Sequence, residues 1–182
     1  ILSNQTIISI LAGIKIHSLT QAFNHESIIR VMPNTPAQIG MGMSVWIATE
    51  KVDPQIRDKA KTILTSLGQE VYVTQENYLD MATAVSASGP AYVFLFIESL
   101  IDAGVYLGMS RDMARRLVLQ TVLGSTELVK QSGRHPAELK DMVTSPGGTT
   151  IEALVSMEDE GFRASVIKGV RSAYDRSLEL GG

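Results

Sequence analysis

Gly89-Pro90-Ala91-Tyr92-Val93-Phe94-Leu95-Phe96-Ile97 is where the chain changes character. Gly89-Pro90 opens a helix, since proline is tolerated in a first turn whose N–H groups have no intrahelical partner. The residues that follow are apolar on every face, and the helix is expected to run through Leu107. A helix that is apolar all round has to be enclosed by protein. The roughly 110 residues of an all-helical domain cannot enclose it completely, so a second subunit is the expected cover.

Working outward from this helix, the two directions differ. Upstream, short β-branched runs alternate with helical stretches. Thr6 to Ala12, Ile28 to Met32, Ser44 to Thr49 and Glu70 to Val73 read as strands. Ile14 to Ala22 reads as a helix. A second helix starts at Asp53-Pro54, an N-cap followed by an N1 proline; Ile56, Ala60, Ile63, Leu64 and Leu67 recur at helical spacing until Gly68. Such alternation implies an α/β sheet. Downstream of about Gln75 the strands stop. Ser110 caps a helix reaching Ser132, stopped by Gly133 and Pro136. Pro136 to Val143, Thr149 to Met157 and Phe162 to Leu180 follow as helices. Two domains are expected, residues 1–74 and 75–182.

Composition excludes several functions. The 182 residues are 45% hydrophobic and carry a net charge of −3 with scattered Lys and Arg, which gives nucleic acid nothing to bind. Without cysteine there is no disulfide, thiolate metal site or cysteine nucleophile. His17, His25 and His135 stand far apart in no metal-ligand spacing, so no metal is expected. No signal peptide is visible, and the longest uninterrupted apolar run, Ala91 to Ile97, is short of the roughly 20 residues that span a bilayer. The expected compartment is the cytoplasm. The chain opens at Ile1 almost directly into a buried-strand pattern, so an N-terminal part of a larger protein is expected upstream. No G-x-G-x-x-G follows any strand; if the sheet binds a dinucleotide, its phosphate-binding unit belongs to that upstream part.

Chemistry-bearing residues fall in four places. Met32-Pro33-Asn34-Thr35-Pro36 directly follows a strand, where ligands of open α/β sheets bind; it also reads as a stiff turn. Asp80 to Tyr92, containing Ser86-Ala87-Ser88-Gly89-Pro90, sets another helix start after a flexible glycine, with helix capping as the default reading. Ser145-Pro146-Gly147-Gly148-Thr149-Thr150 leads into a helix whose first N–H groups lack intrahelical partners, a seat for an anion. The competing reading there is a capping box between Thr149 and Glu152. Glu76 is a lone carboxylate at the expected domain junction, where a solvated role is also open. No Ser–His–Asp arrangement or paired carboxylates present themselves. Hydroxyls, amides and helix termini bind and orient, which suits a reaction whose chemistry comes from a cofactor.

Four ordered motifs carry a resemblance over essentially the whole chain: Arg30-Val31-Met32-Pro33-Asn34-Thr35-Pro36, Ser88-Gly89-Pro90-Ala91-Tyr92, Asp102-Ala103-Gly104-Val105, and Leu139-Lys140-Asp141-Met142-Val143-Thr144-Ser145-Pro146-Gly147-Gly148-Thr149-Thr150-Ile151. Together they resemble the pyrroline-5-carboxylate reductase family. The resemblance implies the remnant of a Rossmann-type domain followed by an all-α dimerisation domain, the family's glycine-rich phosphate loop being absent. It implies reduction of 1-pyrroline-5-carboxylate to L-proline with NADPH or NADH, by a homodimer that in family members often joins a ring of dimers. Pro33, Asn34 and Thr35 would face the nicotinamide. Ser145, Gly147, Gly148, Thr149 and Thr150 would hold the substrate, the Thr150 hydroxyl reaching the ring nitrogen as the catalytic group, with Glu76 near the substrate from the junction. Met142 stands where relatives can carry a polar side chain, and Glu152 helps the seat only by folding back onto the Thr149 N–H. Two alternatives stay open: a non-catalytic helical dimerisation module with impaired cofactor binding, and a reductase of a related cyclic imine.

Overall fold

The four β-branched runs become strands β1 (Ile7–Ser9), β2 (Ile28–Met32), β3 (Gly42–Ala48) and β4 (Gly68–Tyr72) in a computed structural model, which describes Leu2 and residues 4–181. They form one sheet in the order β1-β2-β3-β4. β1 runs parallel to β2, β2 antiparallel to β3, and β3 parallel to β4. All of β2 is buried. Its side chains alternate between faces, as a strand requires. Ile29 and Val31 join Trp46, Ala48, Val52, Ala60 and Leu64 on the face covered by helix α2 (Pro54–Ser66), which follows helix α1 (Ile16–Phe23). Met32 and Ile47 join Leu79 of helix α3 (Asn77–Ala82) on the other. The cap expected at Asp53 is present: its Oδ1 accepts the Gln55 N–H at 2.7 Å, with Pro54 beginning α2.

Three elements differ from their sequence reading. The run Thr6 to Ala12 pairs only over Ile7–Ser9, because its register with β2 ends at Arg30; Ile10 and Leu11 are exposed beyond it. Gly68 does not close α2; Leu67 does, and Gly68 opens β4 at φ +143°, where a Cβ would meet the Gly42 main chain at 2.2–2.8 Å. The polar stretch after Glu76 is helical: α3 runs into a π-helical turn, Thr83–Ala87, and then into α4 (Gly89–Tyr106). Leu79 and Asp80 are wholly buried there, so tertiary packing outweighs weak local propensity.

The remaining helices are α5 (Arg111–Ser132), α6 (Pro136–Met142), α7 (Thr149–Asp159) and α8 (Phe162–Gly181). Both expected ends of α5 are present. Ser110 Oγ accepts the Met113 N–H at 3.3 Å, and Gly133 ends the helix at φ +63°. The chain divides into two compact units, Ile1–Ala91 with Lys168–Gly182, and Tyr92–Ile167. The expected boundary at residues 74 and 75 marks where strands give way to helices; the compact division falls later, within α4, and returns the end of α8 to the first unit. Ile1, Ser3 and Gly182, termini of the expected spans among them, lie outside the described residues.

α4 has no buried residue, and Phe94 and Leu95 are 61% and 64% exposed. Burying one such side chain is worth about 1.5–3 kcal/mol. Val93, Phe94, Leu95 and Phe96 left in water would therefore forgo a large part of the roughly 5–15 kcal/mol that stabilises a typical domain. The continuous helical span Asn77–Tyr106 is also long and apolar enough, by length and composition, to cross a bilayer. The sequence reading of Ala91 to Ile97 had not shown this, because the π turn joins α3 to α4.

Candidate active site

Each candidate group belongs to one of the two units. In the first, the chain leaves β2 at its carboxyl end, beside the carboxyl end of parallel β1. Pro33 removes a ladder donor and the chain bends into a tight 3-10 turn, Thr35–Ile39. The β2–β3 register pairs Met32 with Val45, so Asn34 comes opposite Met43. There the Asn34 side chain replaces a main-chain acceptor: its Oδ1 takes the Met43 N–H at 2.8 Å. Its Nδ2 donates to the carbonyl and to the hydroxyl of Ser86, at 3.3 and 3.4 Å. Thr35 is exposed, and neither its N–H nor its hydroxyl has a partner among the described residues. Of the three expected nicotinamide-facing residues, Pro33 sets the bend, Asn34 is engaged internally and Thr35 is free.

Glu76, expected near the substrate, has one carboxylate oxygen engaged within its own unit. Its Oε1 accepts the Ile16 N–H at 2.7 Å, satisfying the start of α1, and the Arg30 Nη1 at 2.8 Å. Arg30 shares the parity of Ile28 and Met32 and so points to the α3 face of the sheet, wholly buried. Its Nη2 lies 3.5 Å from Oδ1 of the equally buried Asp80. Asp80 also receives the Lys15 ammonium at 2.7 Å and the Ser177 hydroxyl at 3.1 Å. A buried arginine needs such partners, because an isolated charge away from water is very costly. Sequence reasoning missed Asp80, Lys15 and Ser177 as partners. One signal was available: Glu76 and Asp80 stand four apart at the start of a helix, on one face, with Arg30 as the single charge in an apolar strand.

In the second unit, the Ser145–Thr150 turn has the form of an anion seat. Gly147 lies at φ +65°, a left-handed conformation that side chains rarely adopt. Gly148 donates its N–H to the Ser145 carbonyl at 3.1 Å and is the N-cap of α7. A Cβ on Gly148 would meet Ser145 Oγ at 2.4 Å and its carbonyl oxygen at 3.1 Å. The capping box is not formed. With Gly148 as N-cap, Thr149 is the first helical residue and Glu152 the fourth, one position too far along to fold back; its own N–H goes to the Gly148 carbonyl at 3.4 Å. Among the described residues, the N–H groups of Thr149, Thr150 and Ile151 have no acceptor, and the hydroxyls of Ser145, Thr149 and Thr150 have no partner. Three N–H donors and the positive end of a helix dipole lie at this turn, with the side chains of Ser145, Thr149 and Thr150 in the same stretch. Chemically, such unpaired N–H donors suit a small anion such as a carboxylate.

Residues 76–180 match a family described as pyrroline-5-carboxylate reductase dimerisation. Over 175 residues, 96% of the chain, it is 51% identical to the pyrroline-5-carboxylate reductase of Synechocystis sp., of which it covers 65%. It is 41% identical to that of Glycine max over 177 residues, covering 97% of the chain and 64% of the relative. The chain thus spans a little under two thirds of the length of these curated relatives. A crystal structure of Plasmodium falciparum pyrroline carboxylate reductase with NADP bound superposes with a TM-score of 0.95 at 41% identity, over 100% of this chain and 73% of that one. By this likeness in sequence and in fold, the chain belongs to the pyrroline-5-carboxylate reductase family.

Proposed function

We propose that the protein reduces 1-pyrroline-5-carboxylate to L-proline with NADPH or NADH, as a homodimer held through its helical module, residues 75–182, in the cytoplasm. The observation that carries this reading is the unpartnered first turn of α7 behind Gly147-Gly148. There the N–H groups of Thr149, Thr150 and Ile151 bind the substrate carboxylate, and direct hydrogen bonds do most of the work. The helix dipole alone is worth only about 0.3–1 kcal/mol at an exposed site. The hydroxyl of Thr150, the second residue of α7, holds the ring nitrogen. Ser145 and Thr149 close the sides of the seat.

A reduced nicotinamide, when bound, supplies the hydride. The residues present fit that end of a dinucleotide: Thr35 offers a free N–H and hydroxyl beyond the carboxyl end of β2, on a loop held stiff by Pro33 and Pro36. Hydride adds to the carbon of the protonated imine, and the C=N π electrons move to nitrogen, which loses its positive charge and keeps the proton it already carried. No protein nucleophile is required. The chain's contribution is to fix the ring and to stabilise nitrogen as its charge changes, by positioning and electrostatics. Glu76 supports this as part of the frame that sets α1 against β2, with its Oε1 already spent. The apolar faces of α4 fit the covered surface of a dimer, and a ring of dimers extends the same reading.

The test is Thr150→Ala in the full-length protein. Turnover of the imine is expected to fall about 10²-fold, the usual loss for one preorganised donor, with the nucleotide dissociation constant within about twofold. Equal losses in both, or in neither, defeat the assignment.

A further inference from the structure

We infer that Asn34 and Ser86 form a latch that positions the nucleotide-facing loop, and that Asn34 acts through Ser86 rather than by touching the nucleotide. The inference rests on the reading that Pro33–Thr35 lie at the nicotinamide, and refines it.

Three observations support the latch. First, Asn34 has both kinds of side-chain atom engaged within its own unit. Oδ1 continues the β2–β3 ladder by one rung at Met43, and Nδ2 reaches the carbonyl and hydroxyl of Ser86. An amide with its oxygen and nitrogen so occupied has little left for a ligand. Second, Ser86 stands in the π-helical turn Thr83–Ala87. A π turn displaces carbonyls from the usual helical ladder, and such turns recur at functional sites. Here the displaced geometry offers Asn34 two acceptors from one residue. Third, the neighbouring Thr35 is exposed with its N–H and hydroxyl free. Asn34 is the fixed point and Thr35 the presented one. The π turn leads directly into α4, so the same latch ties the loop to the base of the long apolar helix.

The experiment uses the full-length protein and the variants Asn34→Ala, Ser86→Ala and the double variant. Amide hydrogen exchange at Met43 and NADPH binding and turnover are read for each. In Asn34→Ala the Met43 amide loses its acceptor, so its exchange is expected to accelerate about tenfold, and kcat/KM for the nucleotide to fall about tenfold. The KM for the imine stays unchanged. Ser86→Ala, which keeps its carbonyl, is expected to lose about threefold. The double variant is expected to be no worse than Asn34→Ala alone, because both residues act through one connection. Multiplied losses in the double variant would show Asn34 touching the nucleotide itself and overturn the inference. Unchanged exchange at Met43 would also overturn it, by showing that the latch does not hold the ladder. Faster exchange with nucleotide binding and turnover both intact would instead reject the underlying placement of Pro33–Thr35 at the nicotinamide.

Discussion

Arg30 shows how much one residue can organise. It is the single charge in an otherwise apolar buried strand, and the parity of the strand sends it to the face where Glu76 and Asp80 wait. Removing one member of a buried pair strands the other, which costs about 3–5 kcal/mol. Asp80→Ala is therefore expected to destabilise the first unit by about that amount, since Lys15 and Ser177 lose their partner with Arg30. Urea unfolding followed by fluorescence of Trp46, the single tryptophan, reads this directly, because Trp46 is buried in the same sheet. A loss below about 1 kcal/mol would show that water replaces Asp80 without penalty. Gly147 carries a second residue-scale expectation. Space around it is open, so Gly147→Ala is strained only through its φ of +65°, at about 1–2 kcal/mol, and should weaken proline binding by distorting the turn. Unchanged affinity for proline in that variant would mean that the turn tolerates another shape.

At the scale of elements, what was legible depended on whether the signal was local. α5 was readable end to end, because Ser110 caps it and Gly133 stops it. The strand at Ile28–Met32 was readable because five residues buried on both faces have to be apolar wherever they are not paired. β1 was overdrawn, since β-propensity at Ile10 and Leu11 says nothing about whether a partner strand is present. α3 and the π turn were missed because Asn77 to Ala87 is held helical by what covers Leu79 and Asp80. In the candidate site, the seat at Ser145–Thr150 was recognisable from glycine and helix-start chemistry, whereas the commitment of Asn34 and Glu76 depends on partners 52 and 60 residues away. Helix caps give a paired expectation. Asp53→Ala should cost about 1 kcal/mol, because its carboxylate caps Gln55, whereas Glu152→Ala should stay within about 0.5 kcal/mol, because no capping box forms. Thermal unfolding of the two variants checks both; equal losses would restore the capping box.

For the whole molecule, the outstanding feature is α4, apolar on every side and uncovered in the single chain. α4 lies in the segment matched by the dimerisation family, and in the homodimer proposed above a second copy covers Phe94 and Leu95. Leu95→Glu is expected to shift the protein toward monomer at micromolar concentration in sedimentation velocity, because a charge would be buried without a partner. An unchanged sedimentation coefficient would place the interface on another surface.

The crystal structure of the full-length protein with proline and the oxidised nucleotide asks the most of these conclusions. The carboxylate of proline should lie about 2.7–3.2 Å from the N–H groups at the start of α7, with the Thr150 hydroxyl at the ring nitrogen. Proline lodged elsewhere, or those N–H groups taken by protein acceptors in the complex, would contradict the assignment of the diglycine turn as the substrate seat.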